Sequence, residues 1–263
     1  MPAAPELTAT PLAGGSESPV LLVLTSLGGT VEDWRHAAAL LGERFQVVGV
    51  DLPGHGLSPA AASSFEVSDL ADAVELIGAG FAPRPVGIAG TSLGGAVVQE
   101  LALRARRAVD DSRVDGGIAG PVAVVCSAPR MGTPDSWAER AAAVRREGTA
   151  SLVGALAERW FSPAFRESDP LEVERVLAGV AAADDESYAL CCEALGRWDV
   201  TSRLEGLTVP MLAVRGADDP VAPEEAMQPL LAQPRVSVVV LPGARHQAAV
   251  ERPVEVAGAI LAF

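Results

Sequence analysis

Short, nearly continuous runs of apolar and β-branched residues recur along the chain: Val20 to Thr25, Phe45 to Asp51, Pro85 to Ala89, Val122 to Ser127, Val209 to Arg215 and Val236 to Leu241. Each has the length of a strand and little polar alternation, which predicts strands covered on both faces. Between most of them lie Ala/Leu-rich stretches of helical period, among them Trp34 to Leu41, Gly95 to Ala108 and Pro253 to Phe263. Buried strands separated by helices require a mostly parallel sheet with helices on both faces, so the pattern predicts an α/β fold. None of the runs is long enough to span a bilayer, and no membrane segment is expected.

One interval breaks the rhythm. Gly132 to Gly206 contains no convincing strand but several helical patterns, Trp137 to Glu147, Ser151 to Trp160, Leu171 to Ala183 and Ser187 to Leu195, punctuated by Gly and Pro. An all-helical insertion between two strands is well placed to cover a site at the sheet edge. The expected organisation is therefore a core of residues 1–131 and 207–263 with a helical cap insertion at 132–206.

At 263 residues and 49% apolar content the chain suits one large core with an insertion rather than two domains. Met1 to Pro19 has neither a basic start nor a long apolar run, so no signal peptide is expected. A formal net charge of -14 argues against nucleic acid as a partner. An anionic small molecule would need a local arginine to counter that field. The three cysteines, Cys126 and the adjacent Cys191 and Cys192, offer neither a disulfide framework nor metal-ligand spacing, which points to a reducing cytoplasm and to no metal. Oligomeric state is left open.

The chemistry concentrates in Gly90-Thr91-Ser92-Leu93-Gly94, between a predicted strand and a predicted helix. Glycines let the backbone turn sharply there, which presents Ser92 over the sheet edge as a nucleophile. A serine hydroxyl needs a base, and the base needs an orienting carboxylate. Of the three histidines, His36 lies in a helical pattern and His55 in the turn Leu52-Pro53-Gly54-His55-Gly56, where it would brace the loop. His246, after the last strand, is the expected base. The loop after Val209 to Arg215 offers Asp218 and Asp219 as the acid. Two backbone N–H groups should face the developing oxyanion. These are expected from Leu93, which follows the nucleophile, and from Leu27 in the Gly-rich turn Thr25 to Thr30.

These residues resemble the α/β-hydrolases, and within them the 3-oxoadipate enol-lactonases. Thr25 to Thr30, Val50 to Ser58, Gly90 to Gly95, Gly216 to Pro223 and His246 carry the general resemblance. The Gly-x-x-Asp-x-x-x-Pro spacing of that family favours Asp219, and the order Ser92, Asp219, His246 matches its triad. Gly132 to Trp137, Arg159 to Phe165 and Tyr188 to Leu195 look like enol-lactonase cap segments, so the resemblance covers nearly the whole chain.

The resemblance implies hydrolysis of an anionic enol lactone to 3-oxoadipate through an acyl-enzyme, in aromatic catabolism, without metal or cofactor. It also implies that Trp137 lines the pocket; by residue type Trp160 is expected to help close it, and Arg130, just after a strand, is the candidate to pair with the substrate carboxylate. Leu52-Pro53-Gly54-His55-Gly56 departs from the Thr-Arg-Gly-His-Gly of many enol-lactonases, and Arg197-Trp198-Asp199 replaces a more varied polar stretch. A carboxylesterase or C–C bond hydrolase would use the same triad on another carbonyl. Serine at position 92 disfavours dehalogenase and epoxide hydrolase chemistry, which uses an aspartate nucleophile.

Overall fold

The computed structural model describes residues 4–84, 86–107, 114–115 and 118–263. Met1 to Ala3, and Pro85 and Ala108 at the ends of a predicted strand and helix, lie outside the described residues. The strands are β1 (Ala9–Ala13), β2 (Val20–Leu24), β3 (Gln46–Val50), β4 (Val86–Thr91), the two-residue pair β5 (Arg106–Arg107) and β6 (Val114–Asp115), β7 (Ile118–Val125), β8 (Met211–Gly216) and β9 (Val236–Leu241). The main sheet has the order β1-β3-β2-β4-β7-β8-β9. Within that sheet, among the described residues, β1 alone runs antiparallel to its neighbour and the other pairings are parallel.

Successive side chains of the central strands go to opposite faces, and each face has its own core. Leu22, Leu24, Ile88 and Val124 pack with Leu70 and Val74 of α2 (Val67–Ala79) and Val97 and Leu101 of α3 (Leu93–Arg104). Leu21, Val23, Ala89 and Val125 pack on the other side with Ala38 and Leu41 of α1 (Arg35–Leu41). Val256 and Ile260 of the final helix complete that second core. This double cover is why the strand sequences are continuously apolar.

The two edge strands depart from the sequence pattern. β1 pairs with β3 through a register irregularity between Pro11 and Ala13, and a proline there is tolerated because an edge strand leaves one row of N–H groups unpaired. Its Pro/Ala-rich sequence hides it. β9 reads as a strand buried on both faces, yet Val238 and Val240 are 42% and 43% exposed, because β9 closes the opposite edge. Helix α3 also stops earlier than its pattern suggests, with Ala105 extended.

Between β7 and β8 the chain forms an all-helical insertion: α4 (Pro134–Glu147), α5 (Val153–Trp160), α6 (Pro163–Ser168), α7 (Pro170–Ala182) and α8 (Asp185–Arg197). Three of these start with proline directly after a capping residue. Thr133, Ser162 and Asp169 accept from the N–H groups of Ser136, Phe165 and Glu172, which satisfies donors that the first turn leaves unpaired. The short α6 has no buried residue and so left no apolar period to read. After β8 follow α9 (Glu224–Leu231), α10 (Ala248–Glu251) and α11 (Pro253–Ala262).

Specific bonds tie the insertion to the sheet-edge loops. Asp184 N–H donates to the Gly54 carbonyl (2.9 Å), Ala61 N–H to Ser187 Oγ (2.9 Å), and Gln247 N–H to the Trp160 carbonyl (3.1 Å). Arg175 of α7 pairs with Asp33 at 3.0 Å. Burial raises the Asp33 carboxyl to about 6, against the opposing pull of Arg175 and the Thr30 N–H.

Candidate active site

The C-terminal ends of the parallel strands share one edge, and the expected chemistry collects there. β4 ends at Thr91, Ser92 adopts φ 55°, ψ -114°, and α3 begins at Leu93. A left-handed serine is held by its surroundings: its N–H donates to the Val125 carbonyl and the Gly94 N–H to the Thr25 carbonyl, both at 3.0 Å. The flanking glycines are sterically required. A β-carbon on Gly90 would lie 2.4 Å from the Gly94 carbonyl, and one on Gly95 2.5 Å from Ser127 Cβ.

The loop after β8 supplies the carboxylate. Asp219 Oδ1 accepts from the N–H groups of Val221 (2.8 Å) and Ala222 (3.2 Å), while Oδ2 lies 2.9 Å from His246 Nδ1. Both side chains are buried. Burial alone would raise the Asp219 pKa, but the charge and hydrogen bond of His246, together with the two N–H donors, outweigh it and hold the carboxyl below its ordinary value. An ionised Asp219 fixes the proton on His246 Nδ1 and leaves Nε2 as the ring's acceptor. Asp218, by contrast, is exposed.

A chain of backbone bonds carries the edge from the serine to the histidine. Ser92 N–H reaches Val125, Cys126 N–H reaches Val214 (2.8 Å), and Asp218 N–H reaches Ala244 (3.0 Å), two residues before His246. Next to His246, Gln247 Nε2 donates to Ser26 Oγ at 2.7 Å, which brings in the Thr25 to Thr30 turn. Among the described residues, neither Leu27 N–H nor Leu93 N–H donates to a protein acceptor. Leu93 is the first residue of α3 and has no intrahelical acceptor.

His55 and Asp51 hold that turn in place. Gly28 N–H donates to His55 Nε2 (3.0 Å), and His55 Nδ1 donates to the Pro53 carbonyl (2.8 Å). Burial lowers the His55 pKa to about 4, so it is a neutral brace. Asp51 accepts from Val31 N–H (2.9 Å) and Leu57 N–H (3.0 Å). His36 is exposed beside Arg35. The insertion packs directly on this turn: a β-carbon on Gly28, at φ 89°, would lie 3.2–3.3 Å from Val180, Trp160 and Tyr188.

A cavity of about 450 Å³ opens between α4, α5 and the loops after β7 and β8, lined by Met131, Trp137, Arg140, Leu156, Arg159 and Val221 among others. Trp137 is buried at its wall, with Nε1 donating to the Met131 carbonyl. Trp160 is not in this lining; it packs with Phe161, Val176 and Val180 in a separate core of the insertion. Arg130 is also absent from it. Its side chain is half exposed, with the guanidinium 3.9 Å from Asp199, because the chain turns outward before Met131 re-enters. The arginines that do line the cavity are Arg140 and Arg159. The signal for Arg140 was its i, i+3 spacing from Trp137 on one helix face.

Residues 16–259 match the family described as the Alpha/beta hydrolase family. The chain is 31% identical over 209 residues to 3-oxoadipate enol-lactonase 2 of Acinetobacter baylyi, covering 79% of this chain and 74% of that protein. It is 29% identical over 215 residues to 3-oxoadipate enol-lactonase 1 of the same organism, with the same coverages. Among solved structures, the enol-lactonase from Burkholderia xenovorans LB400 superposes with a TM-score of 0.88 at 27% identity, covering 98% of this chain and 95% of that one. With the sheet order, the helical insertion and these similarities together, the chain belongs to the α/β hydrolase family and is related to its enol-lactonases.

Proposed function

We propose that the protein is a serine hydrolase that opens 3-oxoadipate enol-lactone to 3-oxoadipate, with residues 132–206 acting as the cap over the site. The observation that carries the chemistry is the coincidence, at one sheet edge, of a left-handed Ser92, the buried Asp219–His246 pair, and two unengaged N–H groups at Leu27 and Leu93. The similarity to enol-lactonases supports the choice of substrate.

In this mechanism His246 Nε2 takes the proton of Ser92 Oγ as the oxygen attacks the lactone carbonyl. Negative charge moves to the carbonyl oxygen, where the N–H groups of Leu27 and Leu93 receive it. The tetrahedral adduct collapses by breaking the ring C–O bond, and His246 returns its proton to the released enol oxygen. The enol then tautomerises to a ketone, which draws ring opening forward. Water, deprotonated by His246, attacks the acyl-enzyme and regenerates Ser92. Asp219 stays ionised and stabilises the imidazolium formed in each half-reaction. The three buried, unpaired cysteines suit a cytoplasmic setting.

Loss of ultraviolet absorbance from the lactone, compared with cleavage of a short aryl ester, tests this reading in wild-type and Ser92→Ala protein. Fast lactone opening that depends on Ser92, with feeble ester cleavage, is expected. Ester cleavage alone would replace the lactone with a carboxylesterase substrate.

A further inference from the structure

We infer that Arg140, assisted by Arg159, forms an anion subsite in the insertion's cavity, which takes a carboxylate carried by the acyl part of the substrate away from the carbonyl attacked by Ser92. The inference rests on the hydrolase reading above and specifies which substrates that site prefers.

The cavity borders the loop that carries Asp219. Val221, two residues from Asp219, forms one wall, and Met131 and Gly132, just beyond β7, form another. Arg140 enters from α4 with its guanidinium carbon 5.6 Å from the Trp137 ring centre and 5.7 Å from that of Tyr188. Two aromatic rings hold the planar cation in place through cation–π contact.

Several arginines elsewhere are paired with carboxylates. Arg35 and Arg175 meet Glu172, Arg104 and Arg203 meet Glu100, and Arg215 meets Glu224. Among the described residues no carboxylate lies within ion-pair distance of Arg140 or Arg159, although the chain carries 34 Asp and Glu. Glu139, the acidic residue of the lining, is exposed and bonded to neither. The two arginines repel each other: burial and then the charge of Arg140 push the Arg159 pKa down, against the opposing influence of Asp219 and Tyr188. Among the described residues, these two arginines border one cavity without a carboxylate partner, Arg140 partly buried and Arg159 exposed. A carboxylate matches the guanidinium fork in shape and charge.

The test uses two aryl esters of one dicarboxylic acid, 4-nitrophenyl hydrogen glutarate with a free carboxylate and its methyl-capped counterpart. Wild type is expected to favour the free acid, and Arg140→Gln to reduce the ratio of the two kcat/KM values by about 10- to 100-fold, the range of a charge-assisted hydrogen bond. Arg140→Lys should recover part of it. A ratio unchanged in Arg140→Gln, or one that collapses in Arg130→Gln instead, would overturn the assignment. A second readout needs no turnover: glutarate binding to Ser92→Ala protein, followed by tryptophan fluorescence, should weaken by a similar factor in Arg140→Gln. Absence of binding, or binding indifferent to Arg140, counts against the subsite. Preference for the free acid without lactone opening would leave the subsite standing and remove the lactone. Lactone opening without that preference would do the reverse.

Discussion

Replacing Ser92 with glycine should stabilise the protein while abolishing turnover. At φ 55° and ψ -114° a residue with a β-carbon is strained, which costs on the order of 1–3 kcal/mol. Glycine occupies that region freely but gives up about 0.5–1 kcal/mol through its greater freedom in the unfolded chain. The difference is a net gain of about 1 kcal/mol, and the appropriate reference is Ser92→Ala, which removes the hydroxyl but keeps the β-carbon and its strain. For a chain of this size 1 kcal/mol corresponds to roughly 2–4 °C in Tm. Thermal unfolding followed by circular dichroism, with urea midpoints as a second measure, should therefore rank Ser92→Gly above Ser92→Ala by about 3 °C. A glycine variant that melts at or below the alanine variant would refute the claim that the elbow stores strain.

Other consequences of the geometry are equally measurable. Asp219→Asn should leave folding intact yet lower kcat by about 10⁴-fold, because an amide no longer fixes the proton on His246 Nδ1. His55 binds its proton with a pKa near 4 when folded and near 6.5 when unfolded, so the unfolded state holds more protons between those values and stability falls as pH drops through that window. Between pH 7.5 and pH 5 the loss is about 2 kcal/mol in wild type, and His55→Gln should show a correspondingly flatter dependence of urea midpoint on pH. Gly28→Ala places a β-carbon at φ 89° against Val180, Trp160 and Tyr188, and should lower stability by about 1–3 kcal/mol and displace the Leu27 N–H. Its kcat should fall more than its KM rises, as measured in steady-state kinetics.

Much of this arrangement can be read from the sequence because the parallel strands are covered on both faces, which makes them continuously apolar. The elbow is legible for a related reason: Gly90, Gly94 and Gly95 are demanded by contacts under 3 Å that no β-carbon tolerates. Strand order points to His246 and to the loop holding Asp218 and Asp219, and the family's Gly-x-x-Asp-x-x-x-Pro spacing favours Asp219. β1 escapes notice because an edge strand need not be apolar, and α6 because a six-residue helix with nothing buried has no period. Arg130 lies outside this cavity's lining, half exposed near Asp199. Sequence proximity to a strand end places its backbone near the site, but the direction of its side chain depends on the turn before Met131. Arg140 is two turns of reasoning away, since its aim is set by how α4 packs on α8 and Tyr188.

Both acyl transfers of the proposed chemistry pass through Ser92. The most direct measurement is therefore labelling with an active-site phosphonate fluoride, followed by mass mapping of the peptide that contains Gly90 to Gly94. A single adduct per chain at Ser92, formed in step with loss of lactone opening, slowed by excess lactone and absent in Ser92→Ala, is the predicted result. Lactone opening that persists in fully labelled protein, or an inactivating adduct on another residue, would contradict the account.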